Sequence, residues 1–319
     1  MTDLLSVRVA RKTTVAEAIS AFELVPVEGD YLPEFTAGAH VDVVTPSGHT
    51  RQYSLCSRDL GRRSYRIAVL REQAGRGGSQ SMHNDVHEGD LIRISMPRNH
   101  FALDESGGRS ILFAGGIGIT PILAMAYELQ EQGRDFELHY CTRSAARTAF
   151  QDELSTKFAE QAHVYHDDGS SEHRLDLAHT LQSAPAGAHL YVCGPSGFID
   201  AVLNQAKKSG WPDERVHREF FSAAPVDTSG DRPFEVVVAS SGLVIPIAAD
   251  QTVVEALAKV GVDVMTSCEQ GVCGTCVTRI LEGMPDHRDS FFTDAERAGD
   301  DQFTPCCSRA RSARLVLDL

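Results

Sequence analysis

Apolar and polar positions divide the chain into three stretches of different rhythm. Over residues 1–104, short β-branched runs such as Val41-Asp42-Val43-Val44, Arg66-Ile67-Ala68-Val69-Leu70 and Leu91-Ile92-Arg93-Ile94-Ser95 alternate with Gly, Pro and Asp turns. Strands at that spacing predict a small antiparallel β-barrel. The rhythm then changes. Ile111-Leu112-Phe113-Ala114 reads as a buried strand, Gly115-Gly116-Ile117-Gly118 follows directly, and Thr120 and Pro121 read as N-cap and first residue of a helix. That helix runs on through Ile122, Met125, Ala126 and Leu129 and stops near Gly133. Further strands at 136–140, 162–165, 189–192 and 216–221 alternate with helices at 150–160, 175–182 and 197–208. Such alternation predicts a parallel sheet with helices on its faces and ligands at the strands' carboxyl ends. Residues 225–232 are polar and turn-rich and read as a linker. From Pro233 a hairpin turns about Ser240-Ser241-Gly242. Thr252-Val253-Val254-Glu255 forms a capping box, opening a helix with Val254, Leu257 and Ala258 inward and Gly261 as its stop, and Arg314–Leu317 supplies a last strand.

Between that helix and the last strand lies the most chemically specific stretch. Cys268, Cys273 and Cys276 stand at C-x4-C-x2-C spacing, and Cys306 follows after 29 residues. Three thiolates from one loop and one from a distant segment are what a plant-type 2Fe–2S cluster requires. A zinc site usually shows paired C-x2-C knuckles, and only Cys273 and Cys276 have that spacing. Disulfides are not expected, since Met1–Ser6 shows no basic region followed by an apolar one and so no secretory signal. Eight cysteines then point to a reducing cytoplasm.

Weaker signals lie in the first two stretches. Arg51-Gln52-Tyr53-Ser54 places a guanidinium, an aromatic ring and a hydroxyl on one strand, and Arg76-Gly77-Gly78-Ser79 is a basic turn whose amides could cradle a phosphate. Strand, glycine turn and helix N-terminus at 111–121 form a pyrophosphate site, although not the G-x-G-x-x-G fingerprint. Cys141-Thr142-Arg143 and Cys193-Gly194-Pro195 fall at predicted carboxyl ends of strands. The net charge of −14 argues against nucleic acid and anionic membrane as partners. Residues 233–319 carry 13 acidic and 7 basic side chains, a balance that suits docking on a basic protein face or simple solubility.

These motifs, with Asp286-His287-Arg288-Asp289 and Cys306-Cys307-Ser308-Arg309, resemble the phthalate dioxygenase reductase family, the reductase components of two-component Rieske oxygenases. The resemblance covers the whole chain. It implies an antiparallel β-barrel flavin domain at 1–104, an α/β parallel-sheet nucleotide domain at 105–224, a linker at 225–232 and a C-terminal β-grasp 2Fe–2S ferredoxin domain at 233–319. The implied cofactors are FMN, a 2Fe–2S cluster and NADH, and the implied partner is a terminal oxygenase acting on an aromatic or similar small substrate. A cytochrome-type monooxygenase as acceptor, or a non-catalytic iron–sulfur redox module, are the alternatives.

Position by position, the resemblance gives Arg51, Arg76, Gly77, Gly78 and Ser79 to the flavin phosphate and Tyr53 to the isoalloxazine ring. Ser54 falls near the ring's reactive nitrogen, with Gln52 and the backbone of Ala68, Val69 and Leu70 completing the flavin set. Gly115, Gly116, Ile117 and Gly118 would hold the pyrophosphate, with Thr120 and Cys193 beside the nicotinamide. Pro121, Thr142, Arg143, Asp167, Gly194 and Pro195 complete the nucleotide set, and Phe221 would shield the flavin until nicotinamide enters. Asp167-Asp168 would repel a 2′-phosphate and so favour NADH, although either Arg143 or Arg147 could read one. The cluster ligands are Cys268, Cys273, Cys276 and Cys306, with Cys307 a second thiol beside the fourth.

Overall fold

The computed structural model describes residues 4–57, 63–73, 75, 77–106, 108–169, 174–221 and 228–319. They form two compact units, Met1–Glu219 and Phe220–Leu319.

The first unit opens with β1 (Leu5–Ala16), β2 (Ile19–Pro26), β3 (Ala39–Val44), β4 (Thr50–Ser54), β5 (Tyr65–Leu70), helix α1 (Gly78–Asp85), β6 (Leu91–Ile94) and the short β7 (Arg98–Asn99). The antiparallel order is β4-β3-β6-β1-β2-β5, with β7 on β3, and an isolated bridge between Leu55 and Ile67 joins the two end strands. Period-two burial explains the strands: Val7, Val9, Phe22, Leu24, Val41, Val43, Ile67 and Val69 fill one core. The polar sequence GSQSMHND carries no helical apolar stripe, so α1 replaces the simple turn expected at 76–79. It is held instead by its few buried residues, Gly78, Ser81 and Met82.

The same unit continues with β8 (Ser110–Gly115), α2 (Ile119–Glu131), β9 (Phe136–Thr142), α3 (Gln151–Lys157), β10 (Ala162–His166), α4 (Leu177–Ser183), β11 (His189–Gly194), α5 (Ser196–Lys208) and β12 (Val216–Phe220). The sheet order is β10-β9-β8-β11-β12, and the ladders of β8 with β9 and β11, and of β9 with β10, are parallel. Thr120 is not the N-cap of α2. A 3₁₀ turn at Gly116–Gly118 brings the helix in at Ile119, so Thr120 is its second residue and its hydroxyl donates back to Ile117 O at 3.0 Å. Pro121 still lies in the first turn, where its missing N–H costs nothing.

Polar contacts tie the barrel to the parallel sheet. Arg66 on β5 grips the Glu153 carboxylate of α3 at 2.5 and 3.0 Å, and its guanidinium lies 4.8 Å over the Phe150 ring. Burial works against the charge on Glu153, but Arg66, the Tyr127 hydroxyl and Lys157 outweigh it and hold the carboxyl below its usual range. Arg147 pairs with Glu17 at 2.9 Å, and Ala37 N donates to Glu128 Oε2 at 2.7 Å.

Two buried histidines make this unit acid-sensitive. His40 is pushed down to about 4, first by burial and then by Arg98, and His139 to about 4 by burial, His163 and Arg109. In the unfolded chain each takes its proton near pH 6.5. Between the two values the unfolded chain binds more protons, so stability is whole above about pH 6.5 and falls as the pH drops toward 4. Urea midpoints should therefore fall between pH 7 and pH 5, by on the order of 1–2 kcal/mol per histidine. A flat profile over that range would contradict this.

The second unit contains β13 (Phe234–Val238), β14 (Leu243–Ile247), α6 (Val253–Lys259), β15 (Thr278–Glu282), β16 (Pro285–Asp286), α7 (Asp294–Arg297), β17 (Gln302–Phe303), β18 (Arg309–Ala310) and β19 (Arg314–Leu317). Its main sheet runs β14-β13-β19-β15-β17, with β13 and β19 parallel, and α6 packs on it. The capping box of Thr252 and Glu255 is present. The buried face of α6 is Val253, Ala256 and Leu257, rather than Val254, Leu257 and Ala258, because the 3.6-residue period admits either start and packing selects one. Of the expected linker, residues 225–227 fall outside the described residues. Its far end is anchored to this unit: Arg288 grips the nearly buried Asp231 at 2.5 and 2.9 Å, with Arg309 at 3.5 Å.

Candidate electron-transfer sites

In the first unit the candidate side chains lie on β4 and β5 and at the carboxyl ends of β8, β9 and β11. Arg51 leaves β4 across the start of α1, so closely that a Cβ on Gly78 would stand 2.9 Å from the Arg51 Cγ and Nε. Gly77, with φ +90°, makes the turn into the helix. Arg76, expected beside them, falls outside the described residues. Ser79 Oγ accepts from Glu72 N at 3.0 Å and so braces the turn. Gln52 meets His40 Nε2 at 3.3 Å. The Tyr53 hydroxyl is shut from solvent with no hydrogen-bond partner among the described residues, and burial raises its pKa. Just past β4, Cys56 N donates to Arg66 O on β5 at 2.8 Å. Ala68 and Leu70 share the parity of Arg66, so their backbone groups face the same edge beyond the Leu55–Ile67 bridge. Among the described residues, Arg51, Gln52, Tyr53 and Ser54 on β4 and Ala68, Val69 and Leu70 on β5 thus lie on the two end strands that meet at the Leu55–Ile67 bridge, and the Arg51 guanidinium would suit an anionic group.

At the parallel sheet, the turns after β8 and β11 touch backbone to backbone. A Cβ on Gly118 would lie 2.3 Å from Cys193 O, and one on Gly194 2.9 Å from Gly115 Cα. A Cβ on Gly115 would strike the Phe198 ring at 2.9 Å and Pro195 at 3.0 Å. Gly116, with φ +53°, has open space around it. Turn-to-turn packing therefore demands Gly115, Gly118 and Gly194, while Gly116 supplies the exposed curl between strand and helix. Ile117, in the 3₁₀ turn, is partly buried.

Ser54 and Cys193, both buried, are brought together by Glu219 near the end of β12. Burial pushes the Glu219 carboxyl up to about 8, with a hydrogen bond from Ser54 pulling the other way. Its Oε2 is enclosed and has no hydrogen-bond partner among the described residues. Burial also raises the Cys193 thiol, and the nearby Glu219 adds to the rise. Sequence reading missed Glu219. The available signal was a carboxylate followed by Phe220 and Phe221 at the end of a predicted strand. Phe221 is half-buried just after β12.

The ends of β9 and β10 are joined through side chains and backbone. Thr142 Oγ1 is 2.9 Å from Thr148 Oγ1, which is 3.0 Å from His166 Nε2, and Asp167 N donates to Thr142 O at 3.0 Å. The Thr142 hydroxyl is thereby enclosed in the fold, whereas Arg143, Asp167 and Asp168 are exposed.

In the second unit, the cysteine contacts run Cys268–Cys273 and Cys276–Cys306, with Cys268 also meeting Cys306. Four thiols so paired would hold a 2Fe–2S cluster. Cys273 and Cys306 pull the Cys268 thiol down, and amides of Gln270 and Val272 assist against burial. Gln270 N lies 3.3 Å from Cys268 Sγ and Thr275 N 3.5 Å from Cys273 Sγ, so the loop turns donors onto its sulfurs. Gly271 and Gly274 have φ +71° and +69°. A Cβ on Gly271 would sit 2.4 Å from Cys307 Sγ, and one on Gly274 2.3 Å from the Phe291 ring. Cys307 therefore packs behind the loop, beside Thr304 Oγ1 at 3.3 Å, although its thiol also reaches Cys306.

Residues 236–311 match the 2Fe-2S iron-sulfur cluster binding domain family. Residues 92–216 match the family described as dimethylamine monooxygenase subunit DmmA-like, N-terminal domain. A vanillate O-demethylase oxidoreductase of Pseudomonas sp. (strain HR199 / DSM 7063) is 50% identical over 317 residues, covering 99% of this chain and 100% of that protein. The solved phthalate dioxygenase reductase, described as a modular structure for electron transfer from pyridine nucleotides to [2Fe-2S], superposes with TM-score 0.79 at 40% identity. It covers 99% of this chain and 98% of its own. An intact type IV self-sufficient cytochrome P450 monooxygenase superposes with TM-score 0.84 at 38% identity, over 99% of this chain and 41% of that one. With two cysteine pairs in one unit, a barrel and a parallel sheet in the other, and whole-chain identity to oxygenase reductases, the chain belongs to the phthalate dioxygenase reductase family of oxidoreductases.

Proposed function

We propose that the chain takes hydride from NADH onto FMN and passes the electrons singly through a 2Fe–2S cluster to a terminal Rieske-type oxygenase acting on an aromatic or similar small molecule. Bound, the flavin supplies the change from two-electron to one-electron transfer and the cluster supplies the one-electron exit. One observation carries the reading: Ser54, Cys193 and Glu219 meet at strand ends in a chain that also holds two facing cysteine pairs.

The residues' own tasks follow from their chemistry. Arg51 and the first amides of α1 offer positive potential to a phosphate. Glu219, pushed up to about 8, keeps its proton at neutral pH, and the raised Cys193 thiol keeps its own. Neither brings a negative charge to the place a hydride must cross. Asp167 and Asp168 favour ribose hydroxyls over a 2′-phosphate, and Arg147 is drawn off to Glu17. A cytoplasmic location, which keeps eight thiols reduced, suits this chemistry. No helix among the described residues is long and apolar enough to cross a membrane. The acidic second unit suits a basic face on the oxygenase.

Heat-released flavin should chromatograph as FMN, and NADH should reduce the protein with at least about tenfold higher kcat/KM than NADPH. FAD as the main species, or equal efficiency with the two nucleotides, would overturn those parts. A second reading, a cytochrome-type monooxygenase as acceptor, draws on the likeness to the self-sufficient P450. Substrate-dependent NADH consumption with purified Rieske oxygenases and P450s separates the two.

A further inference from the structure

Helix α1 is clamped at the end away from Arg51. His83, in its last turn, places Nε2 2.8 Å from Val69 O on β5 and Nδ1 3.4 Å from Ser20 Oγ on β2. A carbonyl can only accept, so the proton sits on Nε2, and Nδ1 accepts from Ser20. Burial, with Lys12 and Arg71, lowers the ring's pKa and outweighs the Val69 bond, which raises it, so the neutral form is favoured. Lys12 on β1 donates from Nζ to His83 O at 2.6 Å and Val86 O at 2.7 Å, capping two carbonyls that α1 leaves unpaired at its C-terminal end. The same ammonium lies 5.4 Å over the Phe22 ring. The helix is short and lacks an apolar stripe; Ser79, Gln80 and Ser81 tie its first half to Glu72, Gln73 and Ser47, and the His83 and Lys12 contacts fix its C-terminal end.

We propose that His83 and Lys12 form a bracket that locks α1 to β1, β2 and β5, holding its first turn against Arg51, and that His83 is a positioning residue for the flavin phosphate. The inference rests on the reading of Arg51 and the start of α1 as the phosphate site. Val69 belongs to the strand that lines the flavin ring, so His83 sets the spacing between the phosphate end of the site and its ring end. Lys12 screens the negative end of the helix dipole and leaves the positive end toward the ligand.

The test uses the whole flavin-free chain, titrated with FMN and with riboflavin, which lacks the phosphate. Urea midpoints are measured for each variant so that binding is compared where all are folded. His83→Ala should weaken FMN about three- to tenfold, the worth of one buried hydrogen bond, while riboflavin stays within about twofold. His83→Gln, whose Nε2 can still donate to Val69 O, should restore FMN binding. Lys12→Met should also lower the preference for FMN over riboflavin, and it carries the test should His83→Ala fail to fold. Native FMN affinity in His83→Ala or Lys12→Met, equal loss for both flavins, or no rescue by glutamine overturns the bracket. Arg51→Ala is the control on the underlying reading. If it leaves the FMN-to-riboflavin preference unchanged, the phosphate site itself is misplaced, whatever the His83 variants do.

Discussion

Cys306→Ala should strip the protein of its visible iron–sulfur absorbance, while Cys307→Ala should keep it. Both thiols belong to one turn and differ in what they face. Cys306 is buried and meets Cys268 and Cys276, completing two pairs. Cys307 packs under Gly271, beside Thr304 and Ser308. A cluster that loses one of four thiolates is lost or left labile, whereas trimming a small side chain behind the loop removes only packing. The barrel and parallel sheet form a separate compact unit, so Cys306→Ala should still fold there. NADH should then still reduce ferricyanide, which takes electrons from flavin directly. Transfer to the oxygenase should fall by at least about a hundredfold, since the one-electron exit is gone. Retained absorbance in Cys306→Ala with loss in Cys307→Ala reverses the ligand assignment. Undiminished oxygenase reduction without a cluster removes the cluster from the path.

Glu219→Ala should slow flavin reduction by NADH about ten- to a hundredfold, and Glu219→Gln should recover most of that loss. The native carboxyl is neutral at pH 7 because burial has pushed it up to about 8, so the uncharged amide reproduces its shape and its contact with Ser54. The pH profile separates this from a packing effect. As Glu219 ionises near pH 8, the native rate should decline, and the glutamine variant should not share that decline. Stability follows with its own sign. The folded pKa lies above the unfolded value of about 4.5, so the native state binds more protons between the two, and stability is lost as pH rises from about 4.5 through 8. At pH 8.5 Glu219→Gln should thus be more stable than the native chain, by on the order of 1–4 kcal/mol. Equal pH profiles, or a glutamine variant as slow as alanine, would show that Glu219 acts otherwise.

The chain's own order of residues determined the cluster, the three-part architecture and most strands. Thiolate spacing is a covalent fact, since C-x4-C-x2-C fits one loop whatever surrounds it. Alternating apolar positions such as Val41 and Val43 mark the side chains that join the barrel core, and buried runs such as Ile111–Ala114 encode burial locally. The capping box at Thr252 is equally local, needing only residues three apart. Tertiary structure decided what depends on partners distant in sequence. Helix α1 has no stripe to read, because its position comes from Lys12, Ser20 and Val69. The inward face of α6 was ambiguous by one residue until β14 and β19 selected Val253, Ala256 and Leu257. Glycines 115 and 118 read as a pyrophosphate loop, yet their need for a missing Cβ comes from Cys193 and Phe198, some 75 residues away. Glu219 shows the division most sharply. Its charge state, and so its chemistry, is set by burial beside Ser54 and Cys193, and burial belongs to the folded chain rather than to any stretch of sequence.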